Sequence, residues 1–346
     1  MTPHPPRLLH PREALFDPEE PSRALLPVCD HYAGVEVRMR KSLELQAELG
    51  PVFDVTLDGE DGATVGGEIE HAHLIAELVG SSANRFNRVG ARLQPVDHPR
   101  FEDVVDLLVR QVGTRLPYLM IPKPRGAADI DRAAACIDSA CTRHGVNRAI
   151  PLHALVETHG ALRAVDALAA HPRIESLSFG LMDFVSAHRG AIPLSAMSAT
   201  GQFDHPLVVR AKLEIAAACH AHGKTPSHCV VTEFKDRHAL QEAVEAARDL
   251  LGYTRMWSIH PHQVRTIVEG FAPTVAETDR AVEILMAAQA AQWAPIRHQD
   301  TLHDRASYRY FWHVLERAHR TAMSGGPQLP AEVRAAFFGT DNTDHA

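Results

Sequence analysis

The sequence lacks several features that would place a protein in a particular class at once. It has only 5 cysteines in 346 residues, none spaced as CxxC, which argues against a disulfide framework and against a structural zinc site. No apolar run approaches the ~18–20 residues of a membrane span. The formal net charge of -8 leaves no basic surplus for nucleic acid or an anionic membrane. The N-terminal segment carries prolines and carboxylates where a signal peptide would be apolar. We therefore expect a cytoplasmic protein without a nucleic-acid or membrane partner.

What the sequence does contain is a regular alternation of strand-like and helical segments. Most strand-like runs are continuously apolar, as expected of parallel strands that are covered on both faces. The segments between them show helical periodicity, clearest from Phe101 to Val112, and Gly145, Gly223 and Gly252 each follow such a segment, as helix C-caps do. The eight strand-like runs are 24–29, 53–57, 89–93, 118–122, 150–156, 177–182, 228–231 and 256–259.

Eight strand-helix units over about 250 residues predict an α/β fold, a (β/α)8 TIM barrel with a C-terminal helical extension. The predicted domains are an extended N-terminal arm at 1–22, the barrel at 23–273 and the extension at 274–346. A doubly wound open sheet is the alternative, although no GxGxxG follows the first strand. The extension contains two amphipathic patterns, whose apolar faces predict packing against a neighbouring subunit.

Polar residues end many of the predicted strands, where barrel enzymes build their active sites. Glu157 and Asp183 end adjacent predicted strands, whose axes lie ~4.8 Å apart. Two such carboxylates could bind Mg²⁺ or Mn²⁺ with water completing the shell, or each could cap the helix that follows. The acidic run 58–62, which contains Glu60 and Asp61, would favour a nearby cation or form a solvated turn.

Two basic residues also lie at predicted strand ends. Arg92 interrupts an apolar strand and needs an anionic partner, either a substrate carboxylate or Glu60 or Asp61. Lys123 is either a Schiff-base lysine or a lysine paired with a strand-end carboxylate. These residues place a candidate site at one end of the barrel.

In this order, the strand-end segments resemble the HpcH/HpaI aldolase and citrate lyase superfamily, most closely the branch similar to the citrate lyase β subunit and malyl-CoA lyases. The resemblance runs from about residue 53 to residue 273. It is carried by FDVTLDGEDGA (53–63), ARLQPVDHP (91–99), MIPKPRG (120–126), LVETHGAL (155–162), LSFGLMDF (177–184), WSIHPHQV (257–264) and FAPT (271–274).

The resemblance implies a barrel that uses Mg²⁺ or Mn²⁺ to make or break a carbon-carbon bond next to a carbonyl, usually on a CoA thioester. It implies that Glu157 and Asp183 bind the metal and that Glu60 and Asp61 orient its waters. It also implies that Arg92 holds the substrate carboxylate or the enolate oxygen.

In related lyases the base is an aspartate from the C-terminal region of a neighbouring subunit, and Asp304 is our candidate. Asp304 could equally be the N-cap of a helix that opens at Arg305. The resemblance further suggests a homo-oligomer, a trimer or a hexamer.

The first strand departs from the family pattern. CoA-using members carry a Pro-Gly turn followed by an arginine, whereas this chain has CDHYAG (29–34) and then Arg38 and Lys41. These two residues are candidates for binding a CoA phosphate, or they are the exposed face of the first helix. His31 and Tyr32 could instead shape a pocket for a free acid, so His31 and Lys123 join Arg92 as candidate substrate-binding residues.

The expected function is a metal-dependent carbon-carbon lyase of the aldol or Claisen type. Its substrate would be a β-hydroxy acid or the corresponding CoA thioester, cleaved through an enolate to a short oxoacid. The alternatives are an acyl-CoA thioesterase that uses the same metal site, and a non-catalytic subunit or ligand-binding protein.

Overall fold

The computed structural model of the protein describes residues 9–17, 26–63, 65–322 and 326–339. The chain divides into two compact units, one formed by residues 23–271 and the other by residues 1–22 together with 272–346. In the described ranges, no helix is both long enough and apolar enough to cross a membrane.

In residues 23–271, eight parallel strands close into a barrel in the order β1 to β8, and β1 pairs with both β2 and β8. Helices alternate with these strands, which confirms the predicted (β/α)8 fold. The barrel strands are β1 Cys29–Ala33, β2 Phe53–Asp58, β3 Val89–Arg92, β4 Leu119–Ile121, β5 Leu152–Val156, β6 Ile174–Phe179, β7 Thr225–His228 and β8 Arg255–Ser258. A short antiparallel hairpin in the second unit consists of β9 Ile296–His298 and β10 Thr301–His303.

The helices follow the amphipathic patterns of the sequence. In α4, for example, Phe101, Val104, Leu108 and Val112 lie on one face and are all buried. The helices are α1 Pro11–Leu15, α2 Glu36–Leu49, α3 Glu68–Gly80, α4 Phe101–Val112, α5 Ala127–His144, α6 His159–Arg163, α7 Val165–Ala170, α8 Leu181–Ala187, α9 Pro206–Ala221, α10 Arg237–Asp249, α11 Pro261–Phe271, α12 Val275–Ala290, α13 Arg305–Thr321 and α14 Ala331–Phe337. The predicted C-cap Gly145 ends α5 with a φ of 69°, which glycine adopts without strain.

Three strands begin three or more residues from their predicted starts, because they contain polar residues that an apolar run does not include. β1 begins at Cys29, where the predicted run ends, and β6 and β7 begin at Ile174 and Thr225 rather than at 177 and 228. Asp30 therefore lies inside the barrel and not at a strand end. There the Arg255 guanidinium binds both Asp30 (Nη2 to Oδ2, 3.0 Å) and Asp54 (Nη1 to Oδ2, 2.7 Å). Strands whose polar side chains pair with each other inside a barrel do not read as apolar runs in the sequence.

The second unit has its own core. The faces of α12 and α13 predicted to be apolar pack together, burying Leu285, Phe311, Val314 and Leu315. These faces are thus covered within the unit, so they no longer require a neighbouring subunit, and oligomerisation stays a prediction. The segment 1–22 is not wholly extended as predicted, since Pro11–Leu15 form a short helix; residues 1–8 and 18–22 lie outside the described residues.

Candidate active site

Seven charged side chains converge at the carboxyl ends of β2 to β6. They follow from the fold, because the carboxyl ends of parallel strands meet at one rim of a closed barrel. β2 and its following turn, the end of β3, the residues after β4 and β5, and the first turn of α8 each contribute. The side chains are Asp58, Glu60, Asp61, Arg92, Lys123, Glu157 and Asp183.

Arg92 is held by a buried two-pronged ion pair with Asp58. Nε and Nη2 of Arg92 donate to the two carboxylate oxygens of Asp58 at 2.7 and 2.5 Å. The backbone N–H groups of Glu60 and Gly62 donate to the same oxygens, both at 2.9 Å. Glu60 also approaches Arg92 directly, with 3.1 Å between Oε2 and Nη1. Of the predicted protein partners, Glu60 is thus confirmed, whereas the main partner is Asp58 and not Asp61.

Lys123 links three carboxylates of the cluster. Its Nζ lies 2.5 Å from Oε1 of Glu60, 2.8 Å from Oδ2 of Asp61 and 3.7 Å from Oδ1 of Asp183. Burial lowers the pKa of Lys123, but its hydrogen bonds to Asp61 and Glu60 outweigh burial and raise the pKa above its usual value. A lysine held protonated in this way is no amine nucleophile, which supports the paired lysine over the Schiff-base lysine.

Glu157 is a buried carboxylate that the protein only partly satisfies. Its Oε1 accepts the backbone N–H of Lys123 at 2.7 Å, whereas no described residue donates to Oε2. Burial, and then the negative charge of Asp183, raise the pKa of Glu157 to about 8. Neither carboxylate serves as a helix cap, because α6 is capped by Thr158 and α8 begins after Gly180 without a side-chain cap.

The pair Glu157 and Asp183 fits a hard divalent cation. Among the described residues, no group of three or more His, Cys, Asp or Glu side chains is placed to hold a metal ion. A cation here would therefore take two carboxylate ligands from the protein and water for the other positions, as Mg²⁺ commonly does. It would also offset the repulsion by Asp183, which adds to the larger effect of burial in raising the pKa of Glu157.

An aromatic pair lies inside the barrel near this cluster, and we call Tyr32, Trp257 and the residues packed with them the floor. The two rings stack with their centres 4.4 Å apart and their planes 18° apart. The guanidinium carbon of Arg92 is 5.7 Å from the centre of the Tyr32 ring. The aliphatic members of the floor are Met120, Leu155 and Val230.

His31 lies apart from the charged cluster. It is buried, its Nδ1 is hydrogen bonded to Oγ of Ser258 at 2.9 Å, and its ring packs against Phe53. Burial, with a smaller effect from His260, lowers the pKa of His31 to about 4. The ring makes no hydrogen bond or ion pair with the cluster in the described residues, so its role in substrate binding stays a prediction.

The two candidate phosphate ligands differ in their surroundings. Both lie on α2, which follows β1, and both are exposed. Lys41 is paired with Glu44 at 3.1 Å. Arg38 has no ion-pair partner among the described residues, and its charge lowers the pKa of His260 after the larger effects of burial and of His262.

Asp304 lies in the second unit, where it is the N-cap of α13. Its Oδ1 accepts the backbone N–H groups of Ala306 and Ser307 at 3.0 and 3.3 Å, and Ser307 completes a capping box. The capping alternative is thus confirmed, while Oδ2 accepts no hydrogen bond from a described residue. Asp304 also lines a cleft of about 520 Å³ together with Trp293 and Arg305.

The sequence alone does not indicate the roles of two residues of the site. Asp58 was noted only as part of an acidic run, although its position at the end of β2, one strand from Arg92, is a recognisable signal once strand order is known. The contact of Gly180 with Glu157 is the second case. A β-carbon at Gly180 would lie 2.2 Å from Oε2 of Glu157, and the local sequence contains no pattern that predicts this contact.

Comparison with known proteins gives matches along most of the barrel. The model of the HpcH/HpaI aldolase/citrate lyase family matches residues 53–261. An L-malyl-CoA/beta-methylmalyl-CoA lyase of Cereibacter sphaeroides is 28% identical over 69% of this chain and 77% of its own length. A (3S)-malyl-CoA thioesterase of the same species is 30% identical over 73% of this chain and 81% of its own length.

Solved structures resemble the chain over a greater share of its length. A citrate lyase of Burkholderia xenovorans LB400 is 53% identical, with a TM-score of 0.83 over 95% of this chain and 100% of the other. CitE of Mycobacterium tuberculosis, in complex with magnesium, acetoacetate and coenzyme A, is 18% identical, with a TM-score of 0.65 over 85% of this chain and 99% of the other. At that identity the likeness concerns the fold.

Proposed function

Because the chain belongs to the HpcH/HpaI aldolase/citrate lyase family, we propose that it is a magnesium-dependent carbon-carbon lyase of the aldol or Claisen type. Its substrate is a β-hydroxy acid or the CoA thioester of one, cleaved through an enolate to a short oxoacid. The observation that carries the proposal is the approach of Asp183 to the buried Glu157, close enough that the charge of Asp183 adds to burial in raising the pKa of Glu157 to about 8. The relatives named above as lyases support the same reaction class.

The protein groups have distinct roles in this reaction. Glu157 and Asp183 hold Mg²⁺ or Mn²⁺, which when bound supplies a Lewis acid for the oxoacid carbonyl and carboxylate. Glu60 and Asp61, kept in place by Lys123, accept hydrogen bonds from water at the site. Each therefore acts on the position of water and not on the carbon skeleton.

Arg92 stabilises the enolate oxygen. Asp58 takes the N–H of Nε and one N–H of Nη2, and Glu60 lies 3.1 Å from Nη1, so the guanidinium keeps one further N–H on each of Nη1 and Nη2 for a substrate oxygen. The two-pronged pair fixes the plane of the guanidinium before substrate binds, and a preorganised donor needs no reorganisation as negative charge develops.

Asp304 of a neighbouring copy of the chain takes the proton of the substrate hydroxyl. Capping occupies its Oδ1, and no described residue donates to Oδ2, so a single carboxylate can cap α13 and accept a proton. Arg38, exposed and without an ion-pair partner in the described residues, binds a phosphate of CoA, while Lys41 is engaged by Glu44. We also propose that the protein forms a trimer or a hexamer and that it is located in the cytoplasm.

The test is turnover of malyl-CoA by the purified full-length protein with and without Mg²⁺. We expect metal-dependent release of an oxoacid and an acyl-CoA, and a loss of at least about 100-fold in Glu157→Gln, which removes a charged ligand. Asp166→Asn is the control, since this carboxylate is 79% exposed on α7. Metal-dependent turnover that survives undiminished in Glu157→Gln would overturn the proposal.

A thioesterase is the second candidate, favoured by the match to the (3S)-malyl-CoA thioesterase. The same cation site could deliver water to a thioester carbonyl. Product analysis separates the two reactions, because hydrolysis releases free CoA and leaves the carbon skeleton intact. A protein that turns over neither an acyl-CoA nor a free β-hydroxy acid with Mg²⁺ would instead be a non-catalytic subunit or a ligand-binding protein.

A further inference from the structure

The floor contains two buried hydrogen-bond donors without a partner. Tyr32 and Trp257 are 7% and 8% exposed, and neither the Tyr32 hydroxyl nor Nε1 of Trp257 has a hydrogen-bond partner among the described residues. A buried donor left unsatisfied costs about 1–3 kcal/mol. Two such donors on stacked rings, one of them next to Arg92, indicate a place where an oxygen atom from outside the protein binds.

The floor lies within reach of a small molecule held at Glu157. Leu155, a member of the floor, lies on β5 two residues before Glu157, which directly follows the strand, and side chains two residues apart in extended chain face the same way. Two residues of a strand span about 7 Å. This span suits an oxoacid that binds the cation site through its carboxylate and carbonyl. Its next carbon atoms would then extend towards the floor.

The charges around the floor disfavour a second carboxylate there. The cluster holds five carboxylates against two cations, Arg92 and Lys123, so it stays negative even with a divalent cation bound. The positive charge of Arg92 is already balanced by Asp58 and Glu60, and that of Lys123 by Glu60 and Asp61, so neither charge is left to balance a second carboxylate. The remaining groups of the floor are neutral donors and apolar side chains, which suit an uncharged group.

We infer that the floor is the binding site for the substituent of the oxoacid, and that Tyr32 and Trp257 select a substituent with one uncharged oxygen, such as a hydroxymethyl group. The aliphatic part of the substituent packs against Met120, Leu155 and Val230. Its oxygen accepts hydrogen bonds from Tyr32 and Trp257. This inference rests on the proposed function, since it assumes that Glu157 and Asp183 hold the oxoacid through a cation.

The experiment is a titration of the full-length protein with oxoacids in the presence of Mg²⁺, followed by tryptophan fluorescence. Trp257 belongs to the barrel unit, whereas Trp293 and Trp312 belong to the other, so Trp257→Phe identifies the signal that comes from the floor. Hydroxypyruvate and 2-oxobutyrate are a matched pair of equal size that differ in one hydroxyl. We expect hydroxypyruvate to bind at least about fivefold more tightly, as one hydrogen bond provides.

Tyr32→Phe should reduce that preference to within about twofold, because the variant keeps the stacked ring and loses only the donor. Trp257→Phe should reduce the preference for hydroxypyruvate as well. Binding to this variant is measured by calorimetry, because it lacks the fluorescence of Trp257. Tyr310→Phe is the control, since Tyr310 is exposed in the other unit.

Two results would overturn the inference alone: an unchanged preference in Tyr32→Phe, or tightest binding of the dicarboxylate oxaloacetate. In both cases Mg²⁺-dependent pyruvate binding that is lost in Glu157→Gln would leave the proposed function standing. Absence of any Mg²⁺-dependent oxoacid binding would overturn both proposals.

Discussion

Gly180 packs so closely against Glu157 that a β-carbon would lie 2.2 Å from Oε2 and 2.6 Å from the β-carbon of Glu157. Gly180 is the N-cap of α8, and its φ of -92° is accessible to any residue. Space, and not backbone conformation, therefore requires glycine here. The α-carbon of Gly180 forms one wall of the position occupied by the Glu157 carboxylate.

Gly180→Ala should weaken Mg²⁺ binding by about tenfold or more, because residues that orient a metal ligand matter nearly as much as the ligand. Gly126→Ala is the matched control. Its β-carbon would meet only Ala164, at 3.9 Å, and its φ of 167° is ordinary extended backbone. Calorimetric titration measures the Mg²⁺ affinity of both variants. Equal affinities in the two variants would show that the close approach of Gly180 does not position Glu157.

Asp58→Asn should destabilise the barrel by about 3–5 kcal/mol, because it leaves the guanidinium of Arg92 buried without its main counter-charge. The side chains of Arg92 and Asp58 are only 8% and 5% exposed. Asp61→Asn, at a side chain that is 55% exposed, should cost less than about 1 kcal/mol. Urea unfolding at neutral pH measures the free energy of unfolding of both variants. Similar losses in both variants would contradict the central role given to Asp58.

The stability of the protein should fall as pH falls from 6.5 towards 4, in part through His31. Burial lowers the pKa of His31 from 6.5 to about 4, so the unfolded chain takes up a proton first. The contribution of His31 is thus fully present above pH 6.5 and is lost as pH falls through that range, to a limit of about 3 kcal/mol. His228, whose pKa burial also lowers, adds to the same trend.

His31→Asn should flatten this dependence, because asparagine keeps a group that can bond Ser258 and cannot take up a proton in this range. His238→Asn, at an exposed side chain, should keep the wild-type dependence. Urea unfolding at several pH values between 4 and 7.5 measures the slope. An unchanged slope in His31→Asn would exclude His31 as its source.

Asp304 can be tested separately as a helix cap and as a base. Asp304→Asn keeps a good N-cap and removes the basic carboxylate, so stability should change by less than about 0.5 kcal/mol. Turnover should nevertheless fall at least about 100-fold. Asp304→Ala should lose both turnover and about 1 kcal/mol of stability. Thermal unfolding and turnover of malyl-CoA measure the two effects, and an active Asp304→Asn protein would reduce Asp304 to a cap.

Much of this arrangement was predictable from the sequence. Apolar runs and helical periodicity indicate the barrel, and residues that end such runs must meet at one rim. Arg92, Lys123, Glu157 and Asp183 were therefore expected at one site, and the structure brings them together. The resemblance to the family is confirmed by the match over residues 53–261.

The choice of partners was not predictable in the same way. The sequence places Arg92 near several carboxylates, but which one it binds depends on the register of β2 and β3, where Asp58 stands directly opposite Arg92. The interior pair of Arg255 and Asp54 joins residues 201 positions apart, and its polar strands escape a search for apolar runs. Tyr32 and Trp257 likewise meet only because the barrel closes between β1 and β8.

By itself, the order of residues along the chain determined the alternation of strands and helices and the chemical types gathered at the rim, because periodicity and turn signals act over a few neighbouring positions. Only the closed barrel decided which charges neutralise each other, which carboxylate stays unsatisfied and which glycine must remain small. Those outcomes depend on ångström distances between segments far apart in the chain, and packing sets such distances.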